Sequence, residues 1–356
     1  MGLKPPGMPV LPLTRRAFTA GATAAAAFAT RASAALAPDA EKELYAAAQK
    51  EGEVTLYTAH YAADLAERFG SAFGAKYPGV KVNVVRTTAQ VAFQRLSQEL
   101  KSGGPQVDLL QTTDIGHCVE LKSKGLLEKY IPANATTMIP SLQNVDPDGF
   151  YHTTSIGIVA ITMNTSKIQP GEAPKKWTDL LDPRWKNQVS VGHPAFSGYV
   201  GIWAYEMNRL YGWDYFEKLK ANNPQIGRSI QDTLTMLRAG ERSVAAGATQ
   251  TALEAKLRGE PIDIVHPSDG SLVIISPSCI PKGCKHPNAA KLLLEWFSSP
   301  EASVVSLTGQ QDGIHPGSTP KGARPFQELN SIVARPDALV KGIPDIKEKW
   351  RDTFGI

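Results

Sequence analysis

Residues 173–200 read APKKWTDLLDPRWKNQVSVGHPAFSGYV. Pro174 precedes the run Trp177-Thr178-Asp179-Leu180-Leu181, and Pro183 precedes Trp185 and Lys186. Val189 and Val191 then alternate as a strand does, and a polar turn follows. Beyond it Val200, Trp203, Met207 and Leu210 recur at helical spacing. The spacing therefore predicts a helix that begins at Ser197-Gly198. Backbone N–H groups without intrahelical partners and the positive end of the helix dipole collect at such a place, which suits an anion. An ordinary N-cap serine accounts for the same residues equally well at this point.

Upstream, 40–49 reads as an opening helix, Glu53–Thr58 alternates as a strand, and Asp64–Tyr77 reads as a helix ended by Pro78-Gly79. Val80–Val85 is a second strand. Thr87-Thr88 precede a run in which Phe93, Leu96 and Leu100 share one face, and Val107–Gln111 is a third strand ahead of Thr112-Thr113-Asp114. A β-α-β-α-β series of this kind predicts a parallel sheet covered by helices. Ligands bind such sheets outside the carboxyl ends of the strands, which gathers 59–61, 87–90 and 112–114 around one crevice. A second series follows: a strand at Gly157–Met163, the strand 189–191, and the helix after Ser197. A short helix opened by Asp232-Thr233 and closed by Gly240 comes next, then strands at Ser243–Gly247, Ile262–Val265 and Leu272–Ser276. Pro287–Ser298 is an amphipathic helix, and a shorter helix after Pro300 leads into a Gly/Pro-rich tail.

At 356 residues two domains are expected, in a chain with 42% apolar and 20% charged residues. Thr14-Arg15-Arg16-Ala17-Phe18, an Ala-rich stretch, and small-residue cleavage sites at 32–34 and 35–37 read as a twin-arginine export signal over 1–37, hence periplasmic residence. Four of the 38 basic side chains (Lys4, Arg15, Arg16, Arg31) fall in that segment and no acid does, leaving a balanced 34 and 34. A neutral chain of this kind is not a nucleic-acid binder held by phosphate neutralisation. Of the three cysteines, Cys279 and Cys284 flank the turn-forming Ile-Pro-Lys-Gly and are the expected neighbours, with Cys118 lacking an obvious partner.

The order of segments resembles a periplasmic substrate-binding protein of a bacterial ABC importer, and within that superfamily the ferric-ion-binding group. The residues that carry the resemblance are VTLYTA, AFGAKYPGVKV, VDLLQTTD with KGLLEKY, the PKKWTDLLDPRWKNQVSVG block, LRAGE and HPNAAKLLLEWFSSPEA, spanning roughly 50–305. The resemblance implies an α/β, two-lobed periplasmic-binding-protein fold with a central cleft and crossing hinge strands. Lobe 1 would hold 38–113 with 269–322, and lobe 2 would hold 114–268 with 323–356. It implies a monomer that captures a small-molecule solute for an ABC permease in the inner membrane, with no catalysis and no cofactor.

The ferric-binding members use two adjacent tyrosines, and the matching positions here are Gln250 and Thr251. Their carboxylate position falls on Ala89 and their histidine position near His60 or Tyr61. Hard ferric iron leans on anionic oxygen donors, so bare ferric ion is not expected, and a ferric chelate is the alternative ligand. The group's anion-holding positions match Gln90, Ser197 and Gly198, with Tyr199 beside them. The expected ligand is accordingly a small organic solute with a phosphate, phosphonate or carboxylate. Thr88, Thr113, Asp232, Thr233, Gln250 and Thr251 would hydrogen-bond its remainder, each having a local role as cap or strand end as its competitor. An enzyme such as a hydrolase is disfavoured, since the seven histidines are scattered and there is no Gly-x-Ser-x-Gly elbow, P-loop or dinucleotide fingerprint. A ligand-sensing role beside a receptor has no discriminating feature in the sequence.

Overall fold

The computed structural model describes residues 35–334 and 336–356. The expected signal segment, apart from its last three residues, lies outside them. In chain order the elements are α1 (Pro38–Glu51), β1 (Glu53–Thr58), α2 (Ala63–Lys76), β2 (Lys81–Arg86), α3 (Ala89–Lys101), β3 (Leu109–Gln111) and α4 (Ile115–Ser123). There follow β4 (Tyr151–Asn164), β5 (Val189–Val191), α5 (Gly198–Tyr211), α6 (Asp214–Ala221), β6 (Gln225–Ile226), α7 (Ile230–Arg238), β7 (Val244–Ala248), α8 (Thr249–Leu257) and β8 (Ile262–Val265). The chain closes with β9 (Ser271–Cys279), α9 (Pro287–Phe297), α10 (Pro300–Thr308), β10 (Ser331–Val333) and α11 (Pro336–Phe354).

The strand order β2-β1-β3-β9-β4-β7-β5-β6 has an internal symmetry. A parallel trio, β2-β1-β3, forms one end and a second parallel trio, β6-β5-β7, the other. Between them β9 and β4 run antiparallel to each other and to the flanking trios. These two long strands are the crossing segments of a two-lobed α/β fold. Each trio carries helices, and each turns the carboxyl ends of its strands toward the middle of the molecule, where such folds bind ligands.

Local chemistry explains the lobe cores. Around α2 and α9, Phe69, Phe73, Trp296 and Phe297 interlock with centroid separations of 5.3–5.9 Å, in a core made of apolar positions at 3–4 residue spacing. In the other lobe Trp177 is fully buried, donates its indole N–H to the Gly270 carbonyl at 2.8 Å, and meets Trp203 of α5 edge-on at 6.1 Å. Its backbone N–H is held by the Asp269 carboxylate, which also accepts from Tyr211. The Trp-rich connector is thus a clamp between α5 and the turn before β9.

Several expectations change. The tail is not merely Gly/Pro-rich. It forms β10 and the 19-residue α11, whose Leu339, Ile343, Ile346 and Trp350 are buried at helical spacing. Gly342 and Pro344 had masked that period; Gly342 is required because a Cβ there would come within 2.2 Å of the Tyr205 ring. The helix expected to open at Asp232 begins at Ile230, with Ser229 as N-cap and Asp232 completing a capping box. Helices α6 and α8 had no clear sequence signal. Cys279 lies 3.7 Å from Cys118, not beside Cys284, because β9 runs back past α4. Among the described residues no helix is long and apolar enough to cross a membrane.

Candidate functional site

A cavity of about 340 Å³ opens at the carboxyl ends of both trios. From one side come Ala59 after β1, Arg86 to Ala89 with Val91 between β2 and α3, and Thr113 after β3. From the other come Phe196, Ser197 and Tyr199 after β5, and Arg228 to Asp232 after β6. Both crossings of the sheet therefore deliver the same kind of segment, a strand end followed by a helix N-terminus.

The donors at this place are free to act on something else. Helices α3 and α5 begin without side-chain caps: Thr88 and Ser197 occupy the N-cap positions, yet neither hydroxyl bonds to its helix. The Thr88 hydroxyl is buried and has no hydrogen-bond partner. Helix α7 is capped by Ser229, with the Asp232 carboxylate accepting from the Ser229 N–H at 2.8 Å. Two guanidinium groups complete the lining. Arg86 donates from Nε to the Tyr61 carbonyl at 3.0 Å, and Arg228 lies 5.2 Å from the centre of the Phe196 ring. Among the described residues neither has a carboxylate within ion-pair distance. Three helix N-termini, two unbonded hydroxyls and two unpaired guanidinium groups form a set of donors that complements negative charge.

The expected site residues divide into those that line this cavity and those that do not. Thr88, Thr113, Ser197, Tyr199 and Asp232 line it, although Asp232 spends a carboxylate oxygen on the cap. Gly198 does not. Its Cα faces the Thr113 backbone, and a Cβ there would fall 2.3 Å from the Thr113 carbonyl oxygen. This glycine is needed for contact between the two sides of the cleft. Gln90 points away, its amide nitrogen 3.5 Å from Asp114 in a separate groove between α3, α4 and α11. Thr233 bonds back to the Ile230 carbonyl of its own helix at 2.7 Å, and Thr251 to the Ala248 carbonyl at the end of β7 at 3.2 Å.

His60 and Tyr61 belong to a buried polar seam that runs behind the cavity through β1, β3, β4 and β9. His60 meets the Ser276 hydroxyl at 2.6 Å, contacts the Gln311 side chain, and lies 3.3 Å from the Tyr199 hydroxyl. Burial pushes its pKa down to about 3, so the ring is neutral. The Tyr61 hydroxyl accepts from Ser155 at 2.8 Å and from Gln111 at 3.4 Å, and burial raises its pKa to about 12. Burial likewise raises the Tyr199 hydroxyl pKa, a hydrogen bond with Gln250 partly opposing it. Gln250 is outside the cavity lining, and its buried amide oxygen has no hydrogen-bond partner.

The sequence carries a signal for the arginines. Arg86 ends β2 and Arg228 follows β6 by two residues, and each stands immediately before a hydroxyl-bearing N-cap segment, Thr87-Thr88 and Ser229. A cation in that place lies at the mouth of the crevice by construction.

The sequence profile of a family described as bacterial extracellular solute-binding protein matches residues 108–321. A protein of Salmonella paratyphi A, provisionally named a 2-aminoethylphosphonate-binding periplasmic protein, is 25% identical over 64% of this chain and 68% of its own. Among solved structures, the periplasmic binding protein AfuA of Actinobacillus pleuropneumoniae with fructose-6-phosphate bound is similar with a TM-score of 0.76. It is 23% identical, over 86% of this chain and 99% of that one. Iron-bound HitA of Pseudomonas aeruginosa has a TM-score of 0.72 and 23% identity, over 85% of this chain and 99% of its own. The likeness to the two structures is one of fold.

Proposed function

The chain belongs to the bacterial extracellular solute-binding protein family, and from that premise we propose that it captures a small organic solute bearing a phosphate, phosphonate or carboxylate. The observation that carries this reading is the pair of unpaired guanidinium groups, Arg86 and Arg228, facing each other's lobes across a cavity with two uncapped helix N-termini. Burying an oxyanion there would satisfy donors that the protein leaves open. The names of the Salmonella relative and of the fructose-6-phosphate complex point to the same ligand chemistry. Bare ferric ion is the weaker reading. The positions that the resemblance assigns to the paired tyrosines hold Gln250 and Thr251, of which the second bonds back to the Ala248 carbonyl just before its helix.

In the same proposal the solute passes to an inner-membrane permease after export of a monomer by the twin-arginine route. Lobes 38–113 with 269–322 and 114–268 with 323–356 would close on it by bending β4 and β9. The test is calorimetric titration with inorganic phosphate, ethylphosphonate, fructose-6-phosphate and benzoate at low and high salt, on wild type and Arg228→Gln. Binding of at least one oxyanion, weakened by salt and about tenfold or more by the substitution, is the expected result. Equal affinity of wild type and variant for every oxyanion that binds would refute it. Mass spectrometry of the native protein identifies any solute carried through purification.

A further inference from the structure

Few large apolar side chains are exposed among the described residues, and Val91, Phe196 and Ile356 gather at the cleft and beside it. Val91 of α3 and Phe196, just ahead of α5, line the cavity between the trios from opposite sides, 40% and 41% exposed. Phe196 also lines an adjoining cavity of about 780 Å³ beside α11, whose wall includes the exposed Ile356. One ring is therefore common to the cationic cleft and to its extension. That ring is held in place by a closed turn. The Phe196 and Ser197 N–H groups both donate to the His193 carbonyl at 3.2 Å, and the Ala195 N–H donates to His193 Nδ1 at 3.0 Å. The His193 ring lies 5.0 Å from the Phe196 ring, centre to centre, and the Arg228 guanidinium 5.2 Å from it.

A guanidinium beside an aromatic ring makes a shelf that is charged at one end and apolar at the other. Arg228 is one of the two cations given to the oxyanion, so a group covering Phe196 belongs within a few bonds of that oxyanion. Apolar surface fixed in a ligand cleft and left uncovered is stabilised by burial, and a ring is matched in shape and quadrupole by another ring. We propose that Phe196 is the specificity surface of the cleft and that the solute is an aromatic oxyanion, its ring lying on Phe196 and its anionic group on Arg228. The anionic group rests on the function proposed above; the aromatic group stands on Phe196.

Titration calorimetry compares methylphosphonate, phenylphosphonate, benzylphosphonate and cyclohexylphosphonate on wild type, Phe196→Ala and Phe196→Leu. Wild type should bind phenyl- or benzylphosphonate about tenfold or more tighter than methylphosphonate, and roughly threefold or more tighter than cyclohexylphosphonate. The readout is a ratio within each protein, so a general loss of affinity in a variant cancels. In Phe196→Ala the aryl-to-methyl ratio should fall to about threefold or less. Phe196→Leu keeps apolar bulk without a ring, and its aryl-to-cyclohexyl ratio should fall to about one. Wild type that binds methylphosphonate or cyclohexylphosphonate as tightly as the aryl compounds overturns the proposal. An aryl-to-methyl ratio that survives in Phe196→Ala overturns it too. In each of these cases an oxyanion still binds, and the function proposed above stands. If none of the four binds but inorganic phosphate or fructose-6-phosphate does, the aromatic group falls alone. If no oxyanion binds at all, both readings fall.

Discussion

Replacing Ser197 by Ala isolates one donor of the cleft. An N-cap serine that bonds its own helix is worth about 1 kcal/mol of stability, and its loss is read as a lower Tm. Ser197 makes no such bond, although it occupies the N-cap position of α5 and is 9% exposed. Removing its hydroxyl should therefore leave the melting temperature of the unliganded protein nearly unchanged. The effect should appear in binding. A hydrogen bond to a charged group contributes about 1.5–3 kcal/mol, so affinity for the oxyanion that binds wild type best should fall roughly ten- to a hundredfold. The N–H groups of α5 remain, so binding is weakened and not abolished. Calorimetric titration and a thermal melt of the same preparations read both quantities. Unchanged affinity would refute the reasoning, and a lowered Tm with unchanged affinity would return Ser197 to the role of a cap.

Gly198→Val should weaken binding more than Ser197→Ala. The reason is steric, a Cβ placed 2.3 Å from the Thr113 carbonyl, so small-angle scattering should also show less compaction with ligand; full affinity with normal compaction counts against it. His60→Gln tests the buried seam. A neutral histidine with a pKa near 3 must be protonated on unfolding once the pH falls below about 6.5, so it costs stability progressively as pH drops from there toward 3. The decline in ΔG of unfolding between about pH 6 and pH 4 should be shallower in His60→Gln, by up to ~1.4 kcal/mol per pH unit, and parallel curves would sink the idea. Native alkylation should label Cys284 alone and slowly, since it is half-buried with a pKa pushed to about 12 by burial. Cys118 and Cys279 should react only after denaturation; rapid native labelling of either contradicts their burial.

The sequence by itself determined the alternation of strands and helices, because period-2 and period-3.6 burial are local properties of a segment. It thereby placed Thr88, Thr113 and Ser197 at strand-to-helix junctions; parallel strands oblige Thr88 and Thr113 to share one face, whereas Ser197 follows β5 of the opposed trio and meets them only through the tertiary structure. Through its resemblance to the ferric-ion-binding group it set Gln250 and Thr251 at the positions where that group is expected to carry a tyrosine pair. What it left undetermined depended on which segments meet. Ser197 reads as a cap until the side chain is seen to bond nothing. Gly198 reads as a ligand contact until the Thr113 carbonyl is found against it. His60 and Tyr61 follow β1 as a binding loop would, yet the return of β4 and β9 covers them with Ser155, Ser276 and Gln311. The same return of β9 sets Cys279 against Cys118. Contacts between residues far apart in the chain follow from strand order, and antiparallel crossing strands carry no local signature of the partner they will choose.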